Sequence, residues 1–427
     1  MHAWQKKLIQ IFQQPDLRKN IFYIVFLLVV FRIAAHIPVP GVNPEALSSL
    51  FKNNQFFSLM DIFAGGGLSN LSIVMLGVGP YITASIIIQL LTIMVPRLEE
   101  LQKEGAYGYQ KINQWTRYLT VPLAAIQGYS MLALLNRSGQ PILNNTSPLT
   151  IFLVVLSAIG GTVFLMWIGE LISEKKLGNG VSLLILAGIV ARIPGIIRET
   201  YLSYDPDKLF VLLGFIVVAL VVIAGIIFIT EGTRNIPVSY AKRIIGSKSY
   251  GNTSSHLPLR VNQAGVIPII FAVSILLFPT MIANFLMNVP KPVIQDIAQK
   301  IITLSQNQLY HGIFYFILVI VFTFFYTFIT FKPDQVAENI QKHGGFIPGI
   351  RPGQETKNYL YKITLRITVP GALFLGAIAI LPLIMQYFTG TQSLTIGGTS
   401  LLIVVSVVIE IMNQVQAQMT IREYDKF

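Results

Sequence analysis

Long uncharged apolar runs recur from one end of this 427-residue chain to the other. About 20 helical residues cross a hydrocarbon core of roughly 30 Å, so each run is a candidate membrane span. Hydrophobic residues make up 53% of the chain and charged residues only 12%, which excludes an ordinary soluble domain. The predicted fold class is an all-α integral membrane protein with ten transmembrane helices, placed at residues 20–37, 71–94, 116–136, 148–171, 181–198, 209–230, 262–287, 309–330, 366–386 and 396–415.

Lysine and arginine are distributed unevenly over the loops between these spans. One set of alternate loops and both tails hold 23 of them, the other set holds seven, and Arg32 lies inside the first span. Because cytoplasmic loops carry the excess of Lys and Arg, the richer side is predicted to be cytoplasmic. Ten spans return the chain to the side on which it started, so both termini are predicted to be cytoplasmic.

The spans divide into two groups of five, which predicts the domain organisation. The predicted regions are a cytoplasmic amino tail at 1–19, a first five-helix half at 20–200, a second half at 201–415 with basic cytoplasmic loops at 231–261 and 332–365, and a cytoplasmic carboxyl tail at 416–427.

Three consecutive glycines, Gly65, Gly66 and Gly67, stand before the second span. Each costs a helix about 1 kcal/mol relative to alanine, so the triplet is expected to interrupt the helix. The short apolar piece 56–64 is therefore predicted to be a half-helix that enters the membrane and stops. A simple tight turn between two helices is the alternative interpretation.

The second span of each half contains the same pattern, G-V-x-P-x-I-x-A, at residues 77–84 and 265–272. Glycine and proline interruptions at corresponding spans are typical of inverted repeats, whose halves face each other across a pseudo-two-fold axis in the membrane plane. The sequence therefore predicts two pseudo-symmetric inverted halves, with the second and seventh spans lining a common centre.

Aliphatic side chains dominate that predicted centre, including Val78, Ile82, Ile86, Ile270 and, on the fifth span, Ile185. Aliphatic groups at a constriction form a dewetting barrier, whereas a solute or ion site requires polar or charged side chains. The pattern favours a central pore, and plain helix packing of the same residues is the other interpretation. A channel and a secondary transporter of a small solute both remain open on this reasoning.

Residues with the chemistry of catalysis are sparse. The chain has no cysteine, no Walker-type loop, and no histidines at ligand spacing, so we expect no enzymatic activity, metal or cofactor. Ionisable residues within the spans fall near predicted helix ends, where snorkelling to the interface is expected. They are Arg32, His36, Glu170, Arg192 and Glu410.

Seven longer motifs occur in one order along the chain. They are FRIAAHIPVPGV at 31–42, FAGGGLSNLSIVMLGVGPYITASIIIQLL at 63–91, KEGAYGYQKINQWTRY at 103–118, GNGVSLLI at 178–185, HLPLRVNQAGVIPIIFA at 256–272, GFIPGIRPG at 345–353 and GGTSLLIVV at 397–405. In these motifs the chain resembles the SecY family, the central subunits of the protein-conducting channel, or preprotein translocase. The resemblance implies passage of unfolded secretory polypeptides and sideways release of hydrophobic segments into lipid.

The resemblance also implies roles for individual residues. A plug at residues 57–70, with its hinge, is implied at Phe57, Leu59, Asp61, Ile62, Phe63, Gly65, Gly66, Gly67 and Asn70. A pore ring is implied at Val78, Ile82, Ile185, Ile270 and Ile403, and a lateral gate at Thr83, Gln127 and Phe278. Docking of a motor or ribosome is implied at Lys242, Arg243, Lys248 and Arg351.

Partners and location follow from the same resemblance. It implies a SecE-type clamp subunit, a SecG-type small subunit, a SecA-type motor ATPase, the ribosome, membrane lipid, and polypeptides that bear signal sequences. Basic loops suit the phosphates of ribosomal RNA, although orientation in the membrane alone would also explain Lys342 and Lys357. The implied location is the plasma membrane of a bacterium, with the plastid thylakoid membrane as the alternative.

Overall fold

The computed structural model describes residues 14–39, 61, 64–136, 147–202, 209–240, 243–245, 248–250, 255–287, 291–389 and 397–424. Within these residues a helix occupies each of the ten predicted spans. These helices are α1 Pro15–Ala34, α2 Gly79–Met94, α4 Ala106–Asn136, α5 Pro148–Glu174, α6 Gly180–Leu202, α7 Leu209–Glu231, α8 Ile267–Leu286, α10 Gln308–Thr330, α12 Gln354–Thr389 and α13 Gly397–Tyr424. Three further helices lie between them: α3 Pro96–Lys103, α9 Pro292–Gln306 and α11 Pro333–Lys342.

Length and composition confirm the fold class. In the described part of the chain, six helices are individually long and apolar enough to cross a membrane. A seventh span is added if α2 and α3, bent by 100° where they meet, are taken together. Shorter apolar stretches, Gly180–Gly195 and Ile267–Thr280, open α6 and α8.

The second span differs from its prediction at residues 71–94. Residues 71–78 form turns, and α2 begins only at Gly79 and has 16 residues. Positive φ angles at Leu71 and Gly77, 38° and 58°, prevent a continuous helix, and Pro80 stands at the helix start. At 1.5 Å per residue α2 is about 24 Å long, which is less than the roughly 30 Å of a hydrocarbon core, so α2 alone is too short to cross it.

The repeated motif has the same backbone conformation in both halves. Gly77 and Gly265 adopt φ angles of 58° and 63°, a left-handed conformation that glycine enters without steric cost. In each case the helix starts two residues later, at Gly79 in α2 and at Ile267 in α8.

Helix packing repeats in the same way. In the first half α1 contacts α5 and α6, and α2, α4, α5 and α6 pack in succession. In the second half α7 contacts α12 and α13, and α8, α10, α12 and α13 pack in the same succession. Because five is odd, the second half begins on the opposite side of the membrane and is inverted. The halves meet where α8 contacts α2 and α4, and where α13 contacts α6.

The two longest basic loops fold together on one side of the bundle, which we call the basic side. Strand β1 Thr233–Tyr240 pairs in antiparallel register with β4 Ser255–Arg260 and with β5 Gly345–Phe346. A separate hairpin is formed by β2 Arg243–Ile245 and β3 Lys248–Tyr250. Side chains from β1, β4, α11 and α12 share one small apolar core, so loops 231–261 and 332–365 form a single unit.

Both predicted tails meet helices at their inner ends. Helix α1 already begins at Pro15, inside the predicted amino tail 1–19, and residues 1–13 lie outside the described residues. Helix α13 continues to Tyr424, so most of the predicted carboxyl tail 416–427 extends the last helix.

Candidate functional site

The five side chains of the predicted pore ring lie in one buried cluster at the centre of the bundle. Val78, Ile82, Ile185, Ile270 and Ile403 are each at most 5% exposed. They come from the start of α2, from α2 itself, and from α6, α8 and α13, so both halves contribute. All five thus belong to the same buried cluster, although the first and last members are 325 positions apart in the sequence.

Local breaks in the chain place these side chains in the middle of the bundle. Val78 is the residue that precedes α2, and Ile82 follows one turn later. Ile185 lies near the start of α6, where the Asn179 side chain accepts hydrogen bonds from the backbone N–H groups of Val181 and Ser182 at 3.0 and 3.4 Å. This is the usual capping arrangement at a helix amino terminus, and it satisfies donors that would otherwise be unpaired.

A cavity of about 160 Å³ adjoins the ring, and Ile82 and Ile270 form part of its wall. Polar side chains also line it: Ser85, Gln89, Glu170, Ser173 and Asn179. Glu170 accepts a hydrogen bond from the Nε atom of Arg117 at 2.7 Å. The cavity therefore has both polar and aliphatic walls. Among the described residues no group of His, Asp or Glu could hold a metal ion.

The described part of the plug segment, residues 61 and 64–70, lies against the same bundle. Gly65 and Gly66 have φ angles of 67° and 81°, so the chain reverses in a conformation that favours glycine. A Cβ atom at Gly188 in α6 would overlap the Cα atom of Gly65, which shows how closely the two backbones approach. The predicted plug residues Phe57, Leu59, Ile62 and Phe63 lie outside the described residues.

Polar contacts hold this segment in place. The carboxylate of Asp61, 0% exposed, lies 3.1 Å from the guanidinium of Arg192 in α6 and accepts a hydrogen bond from the backbone N–H of Ser69 at 2.8 Å. The Nη1 atom of Arg32 in α1 donates to the carbonyl oxygen of Gly65 at 2.7 Å. The predicted plug residue Asn70 donates to a carbonyl at the end of α1 at 3.4 Å.

These contacts correct the expectation that Arg32 and Arg192 snorkel to the membrane interface. Both arginines are instead directed at the plug segment. One signal in the sequence pointed to this arrangement: Asp61 is the only charged residue between Lys52 and Arg97, and a carboxylate in an apolar segment requires a partner.

The predicted gate residues Thr83 and Gln127 face each other from α2 and α4. The amide of Gln127 lies 3.5 Å from the Thr83 hydroxyl, at the long limit of a hydrogen bond, and that hydroxyl donates to the carbonyl of Gly79 at 3.0 Å. Since α2 and α4 belong to the same half, this contact does not bridge the two halves. Phe278, the third predicted gate residue, is half-buried on α8.

Aromatic rings join α8 to α10 on the other side of the same seam. Phe271 makes edge-to-face contacts with Phe322 and Tyr326, with ring centroids 6.1 and 6.0 Å apart. Such pairs are among the favoured aromatic arrangements. The pair α8 and α10 is therefore one packed unit that faces the pair α2 and α4.

Three of the four predicted docking residues, Arg243, Lys248 and Arg351, are among the described residues of the two basic loops. Arg351 is exposed in a turn between Gly349 and Gly353, whose φ angles are 80° and 98°. Arg243 and Lys248 stand on β2 and β3, whereas Lys242 lies outside the described residues.

Two other lysines of this unit are paired with carboxylates. Lys342 lies 2.7 Å from Glu338, and Lys357 lies 2.9 Å from Asp334. Their charge is thus partly neutralised within the chain, which agrees with treating them separately from Arg351.

Comparison with known proteins gives a consistent family. The SecY family profile matches residues 72–412. The protein translocase subunit SecY of Mycobacterium bovis is 42% identical over 431 aligned positions, which cover 96% of this chain and 97% of that protein. The subunit of the same name from Streptomyces scabiei is 41% identical and covers 97% of this chain and 98% of its own.

Solved structures agree with the fold. A protein-conducting channel superposes with a TM-score of 0.64 at 18% identity, covering 92% of this chain and 91% of its own. A SecY structure described in terms of a plug that stabilises the closed state gives 0.62 at 18% identity, with 92% and 90% covered. Sec61 from the canine ribosome-channel complex gives 0.60 at 16% identity, with 92% and 91% covered. By sequence and by fold, this chain belongs to the SecY family.

Proposed function

We propose that this chain is the channel-forming subunit of a protein translocase, through which unfolded polypeptides cross the membrane. The observation that carries the proposal is that Val78, Ile82, Ile185, Ile270 and Ile403, which come from both halves of the bundle, are all buried in one apolar cluster, and this supports the predicted ring. A cavity with polar and aliphatic walls adjoins Ile82 and Ile270 of this ring. The plug segment packs against α6, the helix that carries Ile185. Membership of the SecY family supports the same function.

The ring suits the passage of chain and opposes the passage of ions. Its side chains supply no oxygen or nitrogen atoms that could replace the hydration shell of an ion, so the constriction is a dewetting barrier. The side chains can yield to residues of many shapes because they make no directional bonds. A transporter of a small solute would instead need polar ligands at this level, so the geometry does not favour that alternative.

The seam between the pair α2 and α4 and the pair α8 and α10 is the proposed lateral gate. Helix α8 contacts both α2 and α4 across this seam, and Phe278 stands on α8. Parting of the seam would open the ring directly to lipid and release a hydrophobic segment sideways. The contact of Gln127 with Thr83 would survive this movement because both residues move with the first half.

The plug segment is proposed to seal the idle channel on the side away from the basic loops. Glycines at 65, 66 and 67 give the backbone the freedom to leave this position when a polypeptide enters. Ring and plug then act in series, as two barriers to ions.

The unit on the basic side is the proposed docking site for a ribosome or a motor ATPase of the SecA type. Arg351 is exposed at its turn, and Arg243 and Lys248 add charge on the hairpin of β2 and β3. Positive charge favours the phosphates of ribosomal RNA. The canine structure that this chain resembles is itself a ribosome-channel complex.

The remaining partners and the orientation complete the proposal. The chain does no chemistry of its own, and the work of translocation comes from the docked partner. A SecE-type clamp would hold the two halves, with a SecG-type small subunit beside it. We place the protein in the plasma membrane of a bacterium, with both termini and the basic side in the cytoplasm, as the excess of Lys and Arg indicates.

The absence of cysteine from the sequence allows a direct test by disulfide crosslinking. A secretory precursor with one cysteine is stalled in channels that carry Ile82→Cys or Ile270→Cys. We expect a disulfide at both positions, because both side chains belong to the ring. The control is Phe228→Cys, whose side chain is 78% exposed on the outer surface of α7.

The pattern of crosslinks decides between conduit and surface binding. Bonds at Ile82 and Ile270 without a bond at Phe228 support passage through the ring. Bonds confined to cysteines placed on the basic side, at Arg351→Cys for example, would contradict it and reopen the transporter alternative.

A further inference from the structure

Charged groups surround the plug segment in a part of the chain that is otherwise apolar. Asp61 is fully buried and lies 3.1 Å from Arg192, which is 131 positions away in α6. Replacing such a pair by apolar residues is often neutral or stabilising, whereas removing one partner is strongly destabilising. A buried pair of this kind therefore adds little net strength, but it fixes position and direction.

A second arginine fixes the segment from another helix. Arg32 of α1 donates to the carbonyl of Gly65 at 2.7 Å. A Cβ atom at the same glycine would overlap the Phe31 ring, so α1 encloses that part of the turn. The two arginines hold the segment at two points, one through a carboxylate and one through the backbone.

The apolar contacts of the plug segment are also made with helices of the first half. Ala64, Leu68 and Leu71 share a buried cluster with side chains of α4 and α5. The cluster members from those helices are Ala124, Met131, Leu132, Leu135, Val154 and Ala158. The polar contacts reach α1 and α6, and the apolar contacts reach α4 and α5, all of which belong to the first half.

We infer that Arg32 and Arg192 are positioning residues that fasten the plug to the first half, and we call their contacts with Gly65 and Asp61 the latch. The plug therefore stays with the first half when the lateral gate opens. It leaves the ring only when the Asp61–Arg192 pair separates. The inference deepens the proposed function and rests on it. Its basis is that none of the contacts just described crosses the seam between α2 and α8. Separation of the halves alone therefore leaves the latch intact.

The pair is tested by removing each charge and then exchanging the two. Asp61→Asn and Arg192→Gln are expected to raise the precursor-independent ion conductance of the reconstituted channel complex by about tenfold or more, because each removes the ion pair between α6 and the plug segment, and Arg192→Gln also takes the cation away from the fully buried carboxylate of Asp61. The double variant Asp61→Asn with Arg192→Gln is expected to conduct no more than the leakier single variant. The exchange Asp61→Arg with Arg192→Asp, and separately Arg192→Lys, should restore a large part of the seal.

A matched control is available in an ion pair that has no such role. Lys300 and Asp296 lie 3.4 Å apart on α9, with side chains 78% and 72% exposed. Asp296→Asn and Lys300→Gln should leave the conductance unchanged, since exposed pairs contribute little. The quantity of assembled complex is measured for every variant, so that poor folding is distinguished from loss of the seal.

A variant that lacks residues 57–67 separates the inference from the proposal on which it rests. If this variant leaks and Asp61→Asn does not, the plug seals the channel but the latch is overturned. If the deletion does not leak either, the proposed plug fails and the inference fails with it. Leakage of Asp61→Asn and Arg192→Gln that the charge exchange reverses supports the latch.

Discussion

The plug segment packs so closely against α6 that no methyl group fits at Gly188, and the substitution Gly188→Ala tests this contact. A Cβ atom at this position overlaps the Cα atom of Gly65 and lies 3.1 and 3.3 Å from the carbonyl carbon and oxygen of the same residue. These atoms are backbone, so they cannot rotate away as the end of a side chain could. Either α6 or the plug segment must move in Gly188→Ala. Overpacking of this kind costs roughly 1–3 kcal/mol.

We expect that cost to act on the equilibrium between seated and displaced plug. A free energy of about 1–3 kcal/mol changes an equilibrium by roughly 5- to 150-fold. The assay is the ion conductance of the channel complex in planar bilayers without precursor or motor, recorded as the fraction of time in the open state. Gly188→Ala should raise this fraction by a factor in that range.

Gly195→Ala is the matched control on the same helix. A Cβ atom there meets nothing within 4 Å. Both substitutions gain helix propensity, worth about 1 kcal/mol, so this effect cancels between them. Equal conductance of Gly188→Ala and Gly195→Ala would refute the reasoning, because the plug turn would then not contact α6 in the closed channel.

Four further predictions concern other parts of the molecule. Gly161→Ala places a Cβ atom onto a backbone carbonyl in the turns before α2, whereas a Cβ atom at Gly160 meets nothing within 4 Å, so thermal unfolding in detergent should show a loss of roughly 1–3 kcal/mol for the first only. Ile270→Asn puts an amide into the buried ring and should raise water and ion permeation of proteoliposomes without a precursor. Gln127→Leu should change insertion of signal sequences less than about threefold, since hydrogen bonds between membrane helices average about 0.6 kcal/mol and this one lies within a single half. Arg351→Glu should weaken ribosome binding and lower the slope of log affinity against log salt by about one, as expected for one lost phosphate contact.

Much of the bundle could be predicted from the sequence because lipid imposes a simple requirement. A membrane span must be apolar over about 20 residues and must satisfy its own backbone, so uncharged runs locate helices directly. The same reasoning fails for the start of α2, since residues 71–78 are as apolar as the helix that follows. Hydropathy does not distinguish a buried turn from a buried helix. The positive φ angles at Leu71 and Gly77 depend on the surrounding structure.

Four residues of the predicted ring, Val78, Ile82, Ile185 and Ile270, could be singled out because they follow local chain breaks, whereas Ile403 was implied by the resemblance alone. Gly77 and Gly265 each precede a helix start, and the aliphatic residues next to them enter the centre. The contacts of Arg32 and Arg192 with the plug segment could not be predicted in this way. Whether Arg32 and Arg192 reach the membrane interface or the plug segment depends on where that segment lies, and no spacing rule connects Arg192 to Asp61, 131 positions away, or Arg32 to the carbonyl of Gly65.

The folded unit on the basic side was likewise beyond the sequence reasoning. Loops 231–261 and 332–365 are separated in the sequence by α8, α9 and α10. The sequence of each loop alone indicates only a charged segment that connects two helices. Their union depends on β5, only two residues long, which pairs with the end of β1 at Ser239 and Tyr240. Strands this short carry no hydrophobic periodicity.

The two halves have the same motif at the predicted ring, through which a translocated polypeptide would pass, but only the first half has a plug segment. The G-V-x-P motif supplies Val78 and Ile82 from one half and Ile270 from the other, so the ring is a product of the repeat. The plug segment, in contrast, precedes the motif only in the first half, and its described contacts with Arg32 and Arg192 lie in that half as well. A seal held by one half does not have to break when the halves part. On the proposed function, opening towards lipid and opening across the membrane would then be separate steps with separate barriers, so that a hydrophobic segment could enter the gate while the plug still blocks ions.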